Sequence, residues 1–159
     1  MLLRRSLLIC TALLVVACGD SNTTNTPSPS TPTPLVAVPF QQMIDIPYRL
    51  ITTLGNAAAG NQTTWTTLWS TAFGSTASAP TVDFNKNMVV AVFATGSDGC
   101  SGLEITQVLQ NEVSTVVKYR VRSQTNPAVQ CIQIISSLAA FATVPKQSDG
   151  LINVSFVAE

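Results

Sequence analysis

The chain contains no histidine. Ser-His-Asp and Cys-His constellations, and the common zinc-hydrolase ligand sets, need an imidazole as base or ligand, so all of them are excluded. Charge is scarce as well, with Asp, Glu, Lys and Arg making up 10% of the 159 residues. Beyond Arg4 and Arg5, the cations Arg49, Lys86, Lys118, Arg120, Arg122 and Lys146 are spread along the chain. No basic tract exists to neutralise a phosphate backbone, which argues against a nucleic-acid partner. Neither a phosphate loop nor a dinucleotide fingerprint is present, and no cofactor or metal is expected. Three carboxylates, Asp83, Asp98 and Glu104, are near one another in sequence. Asp98-Gly99 reads as turn chemistry, Asp83 as a strand-entry residue and Glu104 as the outward member of an alternating strand. A glycosidase-type acid pair needs two acids at a set separation in a cleft, which this pattern does not announce. The expectation is a protein that is not an enzyme.

What the chain does have is a distinctive beginning. Arg4 and Arg5 precede an apolar stretch from Leu7 to Val16, and Leu14-Val15-Val16-Ala17-Cys18 closes it. A cationic start, a short apolar run and a small residue before the cut describe a secretory signal, too short for a spanning helix. A cysteine at the first mature position is the added mark of a bacterial lipoprotein, whose thiol takes a diacylglycerol before cleavage. The signal peptide is therefore expected over 1–17, with Cys18 lipidated. Two or three acyl chains would anchor the remainder stably to a membrane. The expected location is the cell envelope on the extracytoplasmic side. Gly19, where an aspartate would favour inner-membrane retention, points to the outer membrane in a cell with two.

Export decides how the other cysteines are read. Of four, Cys10 leaves with the signal and Cys18 carries lipid, so Cys100 and Cys131 remain. In an oxidising compartment one disulfide is the simplest expectation, two separate buried thiols being the alternative. Loss of Arg4 and Arg5 leaves six Lys and Arg against eight Asp and Glu, a formal charge near −2. From Gly19 to Pro34 the chain reads GDSNTTNTPSPSTPTP, with no large apolar residue to offset the entropy of ordering it. Residues 18–35 are read as the lipidated cysteine and a disordered Ser/Thr/Pro linker, able to span about 50 Å in polyproline geometry.

Residues 36–159 suffice for one domain. Between Val36 and Ile51, Pro39 and Pro47 confine the apolar stretches to one or two edge strands. A helix is expected after Asn61, with Trp65, Leu68, Trp69, Ala72 and Phe73 forming a core-facing stripe that Gly74 ends. Met88–Ala94 is continuously apolar, as suits a central strand covered on both faces. Leu103–Leu109 begins with alternation and slips after Thr106, which marks a bulge. Val117, Tyr119 and Val121 alternate with Lys118, Arg120 and Arg122, giving one apolar and one cationic face, and Asn111-Glu112 supplies a hairpin turn before them. Leu138–Val144 and Ile152–Val157 complete the strands, with Asp149-Gly150 as a hairpin signal between them. The fold class is α+β and β-rich, a mainly antiparallel sheet or small sandwich with one packed amphipathic helix.

Several stretches resemble the C-terminal domain of the protease complex subunit PrcB family. They are the Trp65–Trp69 helix end and Pro80-Thr81-Val82-Asp83-Phe84 leading into Met88-Val89-Val90-Ala91-Val92-Phe93. To these add Gly96, Gly99 and Gly102 before Leu103-Glu104-Ile105, then Val144-Pro145-Lys146 and Val154-Ser155-Phe156. Cys100 inside the glycine-containing turn, and the segment around Cys131, depart from the family pattern. The resemblance implies an exported accessory or interaction module, with no catalytic residues to carry over and a protease complex as the kind of assembly it serves.

The candidate binding surface is the loop Thr95–Gly102, TGSDGCSG, pinned at Cys100. Ser97, Asp98 and Ser101 are expected to reach a partner because flanking glycines leave them exposed, and pre-organisation lowers the ordering cost of binding. The plainer alternative is a bridge that staples a loop lacking a core of its own. The cationic strand face of Lys118, Arg120 and Arg122 is the other candidate surface. Two roles follow: a lipoprotein that binds an envelope or secreted protein, or a protease inhibitor that uses the glycine-rich loop as its wedge. A glycan binder would need a concave aromatic patch, and the helix core claims both tryptophans.

Overall fold

The continuous apolar run of the sequence sits in the middle of the molecule. In the computed structural model, which describes residues 33–43, 54–123, 128–147 and 153–159, strands β1 (Val36–Ala37), β2 (Gln41–Gln42) and β3 (Ala57–Ala59) precede helix α1 (Gln62–Phe73). Strands β4 (Asn87–Gly96), β5 (Gly102–Gln110), β6 (Thr115–Arg122), β7 (Ser136–Pro145) and β8 (Val154–Ala158) follow. They form two four-stranded sheets, ordered β1-β5-β6-β8 and β2-β7-β4-β3. All pairs are antiparallel except β6 with β8.

Strand β4 is apolar from Met88 to Ala94 because both of its faces are covered there. Val89, Ala91 and Phe93 pack with Trp65, Trp69 and Phe141 on the helix side. Met88, Val90 and Val92 pack with Ile105, Val108 and Val117 of the other sheet. The result is three layers, helix on sheet on sheet, with a core in each gap. Strand β7 divides in the same way, sending Phe141 toward α1 and Ala140, Ala142 and Val144 into the inter-sheet core.

Helix α1 begins where the side chain of Asn61 accepts from the Thr64 N–H, and it ends at Gly74, whose φ of 93° suits a residue without a Cβ. Trp65 and Trp69 are buried, as the stripe predicts. The Trp65 indole donates to the Pro80 carbonyl at 2.9 Å. The Trp69 indole N–H is buried without an acceptor among the described residues, and its ring lies 4.5 Å from Phe73, centroid to centroid.

The slip after Thr106 is a register shift: Ile105 pairs with Tyr119 and Gln107 with Lys118, leaving Thr106 as the extra residue. The bulge keeps both Ile105 and Val108 inside despite their odd spacing. In the β5–β6 hairpin, the Asn111 side-chain carbonyl accepts from the Val113 and Ser114 N–H groups and the Ser114 hydroxyl. Pro39 separates two short edge strands on different sheets, β1 against β5 and β2 against β7. Pro47 lies outside the described residues.

One expectation needs correction, and one strand is new. The Asp149-Gly150 signal does not join a hairpin, because β7 belongs to the helix-covered sheet while β8 runs parallel to β6 in the other; residues 148–152 themselves lie outside the described part. The chain must cross between sheets after β7, and local turn chemistry carries no information about which sheet the next strand joins. Strand β3 is an addition, an Ala-Ala-Ala segment with no strand propensity, set by pairing with β4 and by the close approach of the helix that follows.

Candidate functional site

The β4–β5 connection is built around one aspartate. The Asp98 carboxylate accepts from the Cys100 N–H and from the Ser101 hydroxyl, each at 2.9 Å. The Asp98 carbonyl accepts from the Ser136 hydroxyl at 3.1 Å. Cys100 is disulfide-bonded to Cys131, with Cα atoms 5.5 Å apart and a separation of 31 along the chain. Beside the bridge, the Gly99 N–H donates to the Ile132 carbonyl at 2.9 Å. A Cβ at Gly99 would stand 2.8 Å from Cγ1 of Ile132, so a larger residue at 99 would force the Ile132 side chain to shift. Two loops are thus laced into one tip.

This geometry divides the expected contact residues. Ser97 is exposed, as the sequence implied, but Asp98 and Ser101 are half-buried and bonded to each other. Their polar atoms hold the turn and are not displayed, because an aspartate before glycine closes its own loop. What the tip displays is aliphatic. Ile132, Ile134 and Ile135 are 70%, 51% and 81% exposed, and Val129 is 42% exposed. No charged residue occurs between Ala128 and Ile135. The available signal was Val129-Gln130-Cys131-Ile132-Gln133-Ile134-Ile135 itself, a run of aliphatics beside a bridged cysteine in a stretch with no assigned strand.

The cationic face also changes character. Lys118, Arg120 and Arg122 do lie together on the outer side of their sheet, but Arg120 Nε and Arg122 Nη1 both reach the Glu104 carboxylate. Lys118 Nζ is 3.5 Å from Glu159. Two carboxylates thus pair with the three cations of the stripe, and pairs this exposed hold it only weakly. The correction follows from pairing: alternation within β6 shows which residues share a face, not that β5 and Glu159 place acids opposite them.

At the bulge, the Thr106 hydroxyl donates to Glu159 Oε2 at 2.7 Å. That hydrogen bond is the largest cause holding the Glu159 carboxyl below its ordinary range; desolvation opposes it, and the charges of Lys118 and Arg120 add to the lowering. A carboxyl depressed in the folded state contributes stability above its unfolded pKa, and the contribution is lost as pH falls through the folded value. An NMR titration should therefore find Glu159 more acidic than in a model peptide. Thr106→Val should return it toward the ordinary value, and an unchanged titration in that variant would show that the hydroxyl is not the main cause.

The three carboxylates considered for catalysis have separate partners. Glu104 holds two arginines, Asp98 closes its turn, and Asp83 accepts from the Asn85 N–H and stands 3.8 Å from Lys86. Among the described residues, none of them lines either of two surface cavities of about 400 and 450 Å³. Cys18, residues 1–17 expected as a signal and most of the expected 18–35 linker lie outside the described residues. Among the described residues no helix is long and apolar enough to cross a membrane. The chain matches no family model, no curated protein and no solved structure.

Proposed function

We propose that this chain is a membrane-anchored bacterial lipoprotein whose extracytoplasmic domain is a protein–protein interaction or accessory module. The observation that carries the reading is the disulfide-laced tip with its exposed Ile132, Ile134 and Ile135. A rigid loop that already shows its apolar residues to solvent has little ordering left to do on binding, and burial of those side chains supplies the affinity. The cysteine after Val15-Val16-Ala17 supports the anchor, the signal 1–17 and the linker 18–35. The domain from residue 36 onward would then stand off the membrane in the cell envelope, on the outer membrane where there are two. Similarity of segment order to the PrcB family supports a protease complex as the assembly it serves.

A second role rests on the same observation. A stapled apolar projection fits the mouth of an apolar specificity pocket, which makes the domain an inhibitor of an envelope or secreted protease.

The anchor is tested by fatty-acid labelling in the native host: wild type takes up label and Cys18→Ser does not. The surface is tested with Ile132→Ser combined with Ile135→Ser. Both positions are exposed, so each change should alter stability by no more than about 0.5 kcal/mol. Full burial of one such side chain is worth roughly 1.5–3 kcal/mol, so the pair should weaken partner binding on the order of a hundredfold or more. If the domain inhibits a protease, inhibition should fall in parallel. Undiminished binding by the folded double variant would place the contact elsewhere.

A further inference from the structure

We infer a second binding surface, independent of the tip: the groove between α1 and the open edge of β3, which takes an extended, uncharged peptide as an added strand. β3 is the outermost strand of its sheet and pairs only with β4 among the described residues. In an antiparallel ladder alternate residues turn their N–H and C=O groups to the far side. The Phe93 N–H faces β3 and donates to the Asn56 side chain, so Ala57 and Ala59 pair inward. Ala58 is the β3 residue whose backbone groups face outward, without a backbone partner among the described residues. Proteins blunt such an edge by keeping it short or with lysine, proline or a bulge. β3 is short, at three residues, and Lys146 Nζ donates to the Gly60 carbonyl beyond its end, while Asn56-Ala57-Ala58-Ala59-Gly60 itself holds no lysine, proline or bulge.

The edge borders a groove of about 400 Å³ lined by Ala57 and Ala58 and, from the helix, by Thr63, Thr64, Thr67, Leu68 and Thr71. Positions 63, 67 and 71, with 64 and 68 beside them, form one stripe at helical spacing. The Thr67 and Thr71 hydroxyls donate to the Thr63 and Thr67 carbonyls at 3.0 and 2.8 Å. With those hydroxyls turned to the helix backbone, their methyl groups are what remains for a ligand. The wall is apolar, shallow and without charge, which matches small or β-branched uncharged side chains and disfavours acidic or basic ones. A strand edge supplying main-chain hydrogen bonds beside a helix that receives alternate side chains is the geometry of strand addition.

The probe is a short soluble peptide in which valine alternates with serine and threonine, titrated into the folded domain and followed by amide NMR. Saturable shifts centred on Ala57, Ala58 and Ala59 and on the Thr63–Thr71 stripe are expected. The same peptide N-methylated at alternate residues should bind at least about tenfold more weakly, because it keeps its side chains and loses its donors. Thr67→Arg with Thr71→Arg, both at exposed helix positions, should weaken binding at least about tenfold while the spectrum of the core stays unchanged. The inference is overturned if wild type shows no saturable binding, if N-methylation has no effect, or if the shifts map to β8. Concentration-dependent self-association that the arginine variant abolishes would overturn it in favour of a second copy of this chain.

Discussion

Replacing Phe141 by alanine should lower the unfolding free energy by about 3–5 kcal/mol, the range for removing a large ring from a packed core. Phe141 is fully buried on β7. Its ring lies 5.5–5.8 Å, centroid to centroid, from those of Trp65, Trp69, Phe73 and Phe93. Three of these partners come from α1 and one from β4, so this single side chain is where the helix is held to the sheet. Phe141→Ala leaves a cavity between helix and sheet in the midst of four packed rings, which favours the upper part of the range. Phe141→Leu keeps most of the volume and should cost clearly less. Urea unfolding of both variants decides the matter. A loss under about 1 kcal/mol for alanine would show that the helix is held by something other than the ring cluster.

The second large effect is that of the bridge. Cys100→Ser with Cys131→Ser should lower stability by about 3–4 kcal/mol on the loop-entropy model, given the thirty-one-residue separation. For a domain of this size that corresponds to a fall in Tm on the order of 10–15 °C. The bridge is not the only tie at the tip, since the Gly99 to Ile132 backbone bond and the Ser136 to Asp98 bond cross the same gap. The folded double variant should therefore keep the tip's shape while losing its advantage over the unfolded chain. Intact mass without reductant should be two hydrogens lighter in wild type than after reduction. An unchanged Tm in the serine variant would mean that the bridge contributes nothing to folding.

Local chemistry made much of this fold legible. Asn61, the Trp65 to Phe73 stripe and Gly74 fixed both helix ends and the buried face, because caps and periodicity act within a few residues. Unbroken apolarity identified β4 as covered on both sides, and the odd spacing of Ile105 and Val108 revealed the bulge. What stayed hidden depends on distant pairing. Which sheet receives β8 is decided by β6, far back in the chain. That Arg120 and Arg122 share Glu104 depends on the β5–β6 register, and that three alanines form a strand depends on β4. At the tip, the sequence located the loop and the bridge but favoured the polar residues. Asp98 and Ser101 turned inward to build the turn, and the bridge carried the Ile132 to Ile135 aliphatics to the surface.

Recognition through that aliphatic tip is the central claim, and site-specific photo-crosslinking in the native envelope tests it most directly. A photoreactive phenylalanine analogue at position 135 should give an adduct of one discrete mass with an envelope or secreted protein. The same analogue at Thr81, which is also exposed, should give none. No adduct at 135, or the same adducts from both positions, would contradict the account.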